Sequence, residues 1–145
     1  ALIDLLLPRA TLLTPNVPEA EALTGLTIES VADLQAVGER LLTMGPKAVL
    51  MKGGHFDGTQ SPDLLVNVEG EQWFEAERID SANTHGTGCS LSSALAANLA
   101  RGMSLAAATA EAKRFITNAI RFADQLDVGS GHGPTHHFHT LWKDE

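Results

Sequence analysis

Ala48-Val49-Leu50-Met51-Lys52-Gly53-Gly54-His55 is the stretch on which the fold turns. Four consecutive apolar residues that end in a glycine pair read as a short strand buried on both faces, as in a sheet covered by helices. Upstream, apolar residues at 31, 34, 37 and 41 recur at helical spacing between Ser30 and Met44, with Ser30 and Asp33 placed as a capping pair and Gly45-Pro46 as the stop. Before that helix, residues 10–14 form a β-tolerant run closed by Pro15-Asn16. Residues 18–23 are then helical, with Pro18 near the first turn and Gly25 past the end. Strand, helix, strand predicts a parallel pair. The expected class is therefore α/β, with helices packed on a mostly parallel sheet. At the start of the chain, residues 2–7 are apolar apart from Asp4, and Pro8 is expected to end that helical pattern.

Downstream, Leu64 to Val68, then Glu69-Gly70, then Gln72 to Arg78 predicts a β-hairpin. The segment from Cys89 to Arg101 is helical and Gly102 closes it. Ser104 caps a second long helix with apolar positions at 105, 112, 116 and 120, and the two helices are expected to pair antiparallel. From Gly129 the character changes to Gly129-Ser130-Gly131-His132-Gly133-Pro134, followed by His136, His137 and His139, which reads as a loop and tail. Ligands of open α/β sheets gather beyond the carboxyl ends of strands, and the turns at Asn16, Lys52 and Gly86 all follow predicted strands.

The richest of these turns is Thr84-His85-Gly86-Thr87-Gly88-Cys89-Ser90. Two glycines flanking a threonine let the backbone turn tightly and aim N–H groups at one spot, and the positive end of the following helix adds to the field there. Such a nest suits anionic oxygen. The chain's single cysteine stands at that helix start, where a thiolate is favoured, so Cys89 is a candidate proton acceptor. Plainer readings exist for each residue. A glycine pair can be a tight connection, and a lone cysteine is often a small buried hydrophobe. Asn16 and Glu19 can serve as helix cap and first-turn acid, and Lys52 can be an ordinary surface lysine.

Composition bounds the partners. A chain of 145 residues is within the size of one domain, and ten basic against eighteen acidic residues give a formal charge of −8. That balance repels nucleic acid and anionic membrane surfaces. One cysteine forms no internal disulfide, and no apolar run approaches the roughly 20 residues of a membrane span, so a soluble cytoplasmic protein is expected. The histidines near the carboxyl end lack the spacing and cysteine partners typical of structural zinc. The opening Ala1 to Arg9 reads as the end of a helix whose beginning is missing, which suggests a piece of a longer chain.

Together, Thr84-His85-Gly86-Thr87-Gly88-Cys89, Asn16-Val17-Pro18-Glu19, Met51-Lys52-Gly53-Gly54-His55 and the closing Gly131-His132-Gly133-Pro134-Thr135-His136-His137-Phe138 resemble the second half of a hydroxymethylpyrimidine/phosphomethylpyrimidine kinase of the ribokinase-like superfamily. The resemblance covers essentially the whole chain. It implies a three-layer α/β/α fold with a mostly parallel sheet and a β-hairpin, of which residues 1–145 are the C-terminal portion. It also implies ATP and Mg²⁺ as cofactors and an aminopyrimidine alcohol or its phosphate as acceptor. By motif, the Gly86, Thr87, Gly88 and Cys89 turn would be the anion hole, with Cys89 as catalytic base. Lys52, with Gly53 and Gly54, would reach phosphate oxygens. Asn16 and Glu19 would belong to the Mg²⁺–phosphate cluster, Glu19 mainly through water. Sugar kinases of the superfamily usually carry aspartate at the cysteine position, so vitamin-B6 kinases with the same cysteine are the nearest competitors. Without the preceding half, the resemblance implies association with that portion or with another copy.

Overall fold

The computed structural model describes residues 1–142 and divides into two compact units, Ala1–Arg78 and Ile79–Glu145. Four α-helices and three strands are present among the described residues: α1 (Val17–Thr24), α2 (Asp33–Leu42), β1 (Ala48–Lys52), β2 (Asp63–Asn67), β3 (Gly70–Phe74), α3 (Thr87–Ala100) and α4 (Leu105–Arg121).

In the first unit the sheet has the order β1-β2-β3, and both pairings are antiparallel. This corrects the expectation of a mostly parallel sheet. The chain leaving β1 loops over residues 53–62 and comes straight back, so that Ala48 faces Asn67 and Lys52 faces Asp63. The predicted first strand, residues 10–14, does not form. That segment does run beside β1 in the parallel sense, with bridges Leu13 to Val49 and Asn16 to Lys52, but they stay isolated. Leu50 N–H donates to the Leu13 carbonyl (2.7 Å) and Lys52 N–H to the Pro15 carbonyl (3.0 Å). Pro15 has no N–H to return, which limits the ladder. An apolar run reports burial on both faces and says nothing about the direction of its neighbours.

The core of this unit follows from the two periodicities. Val49 and Met51 share one face of β1 and stand opposite Val66 and Leu64 of β2. Leu34, Val37 and Leu41 of α2 cover that face, joined by Val17 and Ala20 of α1. Gly38 lets α2 come close, since a Cβ there would lie 2.9 Å from Val66 Cγ2. At roughly 1.5–3 kcal/mol per fully buried large apolar side chain, this cluster is the main stabilising element of the unit. Helix α2 starts later than its sequence reading: Ala32 is its N-cap and makes no side-chain cap bond, so Ser30 and Asp33 pair in the turn that leads into the helix. Asp33 Oδ2 accepts from the Ser30 N–H (2.8 Å) and hydroxyl (3.0 Å), and these bonds hold the carboxyl below the usual carboxylate range. Pro8 does not end a helix: a wide helical turn over Leu2–Leu6 passes into a tight one at Leu7–Arg9, where proline at an early position forfeits no bond.

In the second unit α3 and α4 pack on each other. Ala108, Ala112, Ile116 and Ala119 are buried along α4, whose start is capped by Ser104 Oγ (3.3 Å). The segment read as a tail is anchored. Thr135 and His136 are each 1% exposed, and His136 N–H donates to the Ala119 carbonyl at 2.8 Å.

Candidate functional site

The expected site residues divide between the units: Asn16, Glu19, Lys52, Gly53 and Gly54 belong to the first, and Gly86, Thr87, Gly88 and Cys89 to the second. Within the first, the carboxyl end of β1 and the start of α1 are side by side, because Asn16 bridges Lys52. Asn16 is the N-cap of α1. Its Oδ1 accepts from Glu19 N–H (2.8 Å) while Glu19 Oε2 accepts from Asn16 N–H (2.8 Å), a reciprocal capping box. The plain reading of this pair as a cap is thus present in the structure. One oxygen of the exposed Glu19 carboxylate is committed, and a hard anionic ligand with a second oxygen in water fits an oxygen-loving cation that keeps its hydration shell.

Lys52 is half-buried at the strand end. The turn behind it is tightly held: Gly53 N–H donates to the Pro62 carbonyl (2.9 Å) and to Asp63 Oδ1 (3.1 Å). A Cβ on Gly53 would lie 2.2 Å from the Pro62 oxygen, so no side chain fits there. Gly54, by contrast, is exposed.

In the second unit Gly86 takes a left-handed conformation (φ 84°, ψ 1°) as the N-cap of α3, a geometry that favours glycine. Thr87 is turned inward on its own loop, its N–H (3.3 Å) and hydroxyl (2.6 Å) both donating to the Thr84 carbonyl. Ser90 N–H takes the Gly86 carbonyl at 2.9 Å, the first regular bond of the helix. Among the described residues, the N–H groups of Gly86, Gly88 and Cys89 donate no main-chain bond. Those donors sit where the dipole of a 14-residue helix is positive, and the free Cys89 is exposed beside them.

From Cys89 a groove of about 500 Å³ runs between α3 and α4, lined among others by Ser90, Ser93, Glu111, Phe115 and His137. Glu111 is paired with Arg114 (2.5 Å), a hydrogen bond that lowers its pKa and keeps it charged. Its charge disfavours an anion at the α4 side, whereas the Cys89 end offers unpaired donors. Ser90 Oγ and His137 Nε2 are 2.6 Å apart across the mouth. His137 was missed in the sequence as part of this site, since nothing local links residues 47 positions apart. The loop is also tied to the returning chain: His85 N–H donates to the Gly133 carbonyl (3.1 Å), and Gly133 N–H to Asn83 Oδ1 (3.0 Å).

A strand-end lysine and a glycine turn that opens a long helix are the parts of an α/β fold of ribokinase-like shape, a class also found in solved kinases. A Bacillus subtilis pyridoxal kinase in an ADP complex superposes with a TM-score of 0.89 at 34% identity, covering 96% of this chain and 54% of that one. A phosphomethylpyrimidine kinase from Clostridium difficile gives 0.69 at 44% identity over 82% of this chain and 47% of its own. Residues 1–136 match the family described as phosphomethylpyrimidine kinase, and the chain belongs to that family. A hydroxymethylpyrimidine/phosphomethylpyrimidine kinase of Salmonella typhimurium is 51% identical over 138 residues, 94% of this chain and 52% of the relative. The chain spans about half the length of the curated relatives it matches. Among the described residues, no helix is long and apolar enough to cross a membrane.

Proposed function

We propose that this chain supplies the phosphate-handling half of an ATP-dependent kinase that phosphorylates hydroxymethylpyrimidine and its monophosphate. The observation that carries the reading is the start of α3, where Gly88 and Cys89 have N–H donors without main-chain acceptors among the described residues, next to an exposed thiol. Phosphoryl transfer asks a protein for positioning and for charge stabilisation on the phosphoryl oxygens, and converging amides at a helix N-terminus provide both. Cys89 then accepts the proton that the acceptor hydroxyl loses as its oxygen bonds to phosphorus. The groove beside it takes the rest of the nucleotide, phosphates toward Cys89 and base toward Phe115. Lys52 neutralises phosphate charge, with Gly53 holding the turn and the exposed Gly54 leaving room beside it. Asn16 and Glu19 hold Mg²⁺, Glu19 through water. When bound, Mg²⁺ supplies further neutralisation of the triphosphate.

The remaining half of the relatives' length would bring the acceptor pocket, and it would cover the exposed Leu2, Ile3, Leu5 and Leu6. A second copy of the chain is the other candidate for that surface. The test is to mix this chain with a separately produced N-terminal portion of the Salmonella relative and follow ATP-dependent phosphorylation of the pyrimidine alcohol. Turnover that depends on this chain and is lost in Cys89→Ala supports the reading. Unchanged turnover in Cys89→Ala refutes the assignment of the base. Nucleotide bound by the chain with no turnover in the mixture would instead identify a binding or assembly module.

A second reading, a vitamin-B6 kinase, is favoured by the closer superposition on a pyridoxal kinase. Competition between pyridoxal and the pyrimidine alcohol in the same assay separates the two. The 51% identity to a pyrimidine kinase puts the pyrimidine first.

A further inference from the structure

Arg78 is used in an unusual way. Its guanidinium faces main-chain carbonyls: Nε donates to Gly58 (2.9 Å), Nη1 to Gly54 (3.0 Å), and Nη2 to Phe56 and to Gln60 (3.4 Å). These are alternate residues of the loop between β1 and β2, so the loop bends around the plane of the cation. The same segment is closed at its base. Arg78 N–H donates to the Thr59 carbonyl (2.8 Å), Ser61 N–H to the Ala76 carbonyl (2.8 Å), and Gln60 bridges Glu77 in the antiparallel sense. Inside the loop, Phe56 packs against the core cluster of the unit.

A planar group with five N–H donors radiating from its edge can satisfy a ring of carbonyls, and a lysine ammonium with three donors at one point cannot. A loop of this length with three glycines and little regular structure is otherwise costly to order. The ring begins at Gly54, directly after Lys52 and Gly53, whose own N–H is fixed by Pro62 and Asp63. Arg78 therefore grips the last residue of the turn that presents Lys52.

We propose that Arg78 is a positioning residue: by gathering the carbonyls of Gly54, Phe56, Gly58 and Gln60 it preforms the Lys52-Gly53-Gly54 turn for the phosphates of a nucleotide. The ligand part rests on the function proposed above. Arg78 acts through the loop and touches no reacting atom.

The experiment compares wild type, Arg78→Ala and Arg78→Lys in three measurements: mass-mapped chymotryptic cleavage after Phe56, amide hydrogen exchange over 53–60 against β1–β3, and affinity for ADP and for adenosine. In Arg78→Ala, cleavage and exchange rise in the loop with the strands still protected. ADP affinity falls at least about fivefold, the scale of a small misplacement of a binding group, while adenosine affinity holds. Arg78→Lys lies between, and it decides alone if the alanine variant does not fold. A loop that stays protected overturns the clamp. An opened loop with ADP affinity unchanged, or with ADP and adenosine weakened alike, overturns the positioning role. Wild type that binds neither compound overturns the nucleotide reading itself, a result distinct from either.

Discussion

Replacing Gly133 by alanine should act at a distance on the loop before Cys89, and the structure sets the size of the effect. A Cβ on Gly133 would stand 2.2 Å from Asn83 Oδ1 and 2.8 Å from its Cγ. Relieving that overlap needs a shift of about 1 Å, since non-bonded atoms of this kind pack at around 3.5 Å. Asn83 is not free to swing. Its Nδ2 donates to Asp124 Oδ1 (2.9 Å), which also accepts from Ser81 Oγ (2.7 Å), and its Oδ1 accepts from Gly133 N–H (3.0 Å). Losing one or two of these bonds at about 0.5–1.5 kcal/mol each, with some residual strain, predicts a loss of about 2–3 kcal/mol. For a chain of this size that lowers Tm by roughly 6–10 °C, read by circular dichroism. The decisive assay is a double-mutant cycle. Asn83→Ala removes the obstacle, so adding Gly133→Ala to it should cost under about 1 kcal/mol. An equal cost in both backgrounds would refute the steric argument.

Other outcomes follow from the same contacts. Asn16→Ala removes half of the capping box and should destabilise by about 1 kcal/mol in chemical denaturation, whatever its effect on ligands. The Asp33 carboxyl is held low by Ser30, so its contribution is present above the unfolded carboxylate pKa and is lost as pH falls through the lower folded value. Wild type should therefore exceed Asp33→Asn in stability at neutral pH, and the gap should close in acid; a gap independent of pH would contradict this. His137→Ala should loosen Ser90 at the groove mouth without unfolding α3, which hydrogen exchange over residues 86–92 would report.

What the sequence discloses here is local. Asn16 and Ser104 announce helix starts through side chains that reach three residues along, the Ser30–Asp33 pair marks only the turn ahead of α2, and the hairpin is visible because Glu69-Gly70 separates two β-prone runs. The pairing of β1 with β2 is not visible, because the ten intervening residues hold Gly53-Gly54 and Asp57-Gly58 but are too many for a two-residue hairpin turn, and the order behind them comes from Arg78 acting from outside the loop. The same limit hid the anchoring of the carboxyl-terminal segment. His136 reads as one of several loop histidines, yet its burial depends on the Ala119 carbonyl and on the Trp142 ring 4.6 Å away. At the start of α3 the glycines, the cysteine and the helix were legible together. That Thr87 spends its donors on Thr84 while Gly88 and Cys89 keep theirs was not, since it follows from the left-handed turn at Gly86.

The most direct measurement is an amide ¹⁵N–¹H titration of this chain with ADP. The account predicts that the largest shifts fall on Gly86, Gly88 and Cys89, with smaller ones at groove residues such as Ser93 and Phe115. Saturable binding that leaves those three amides unmoved would contradict it.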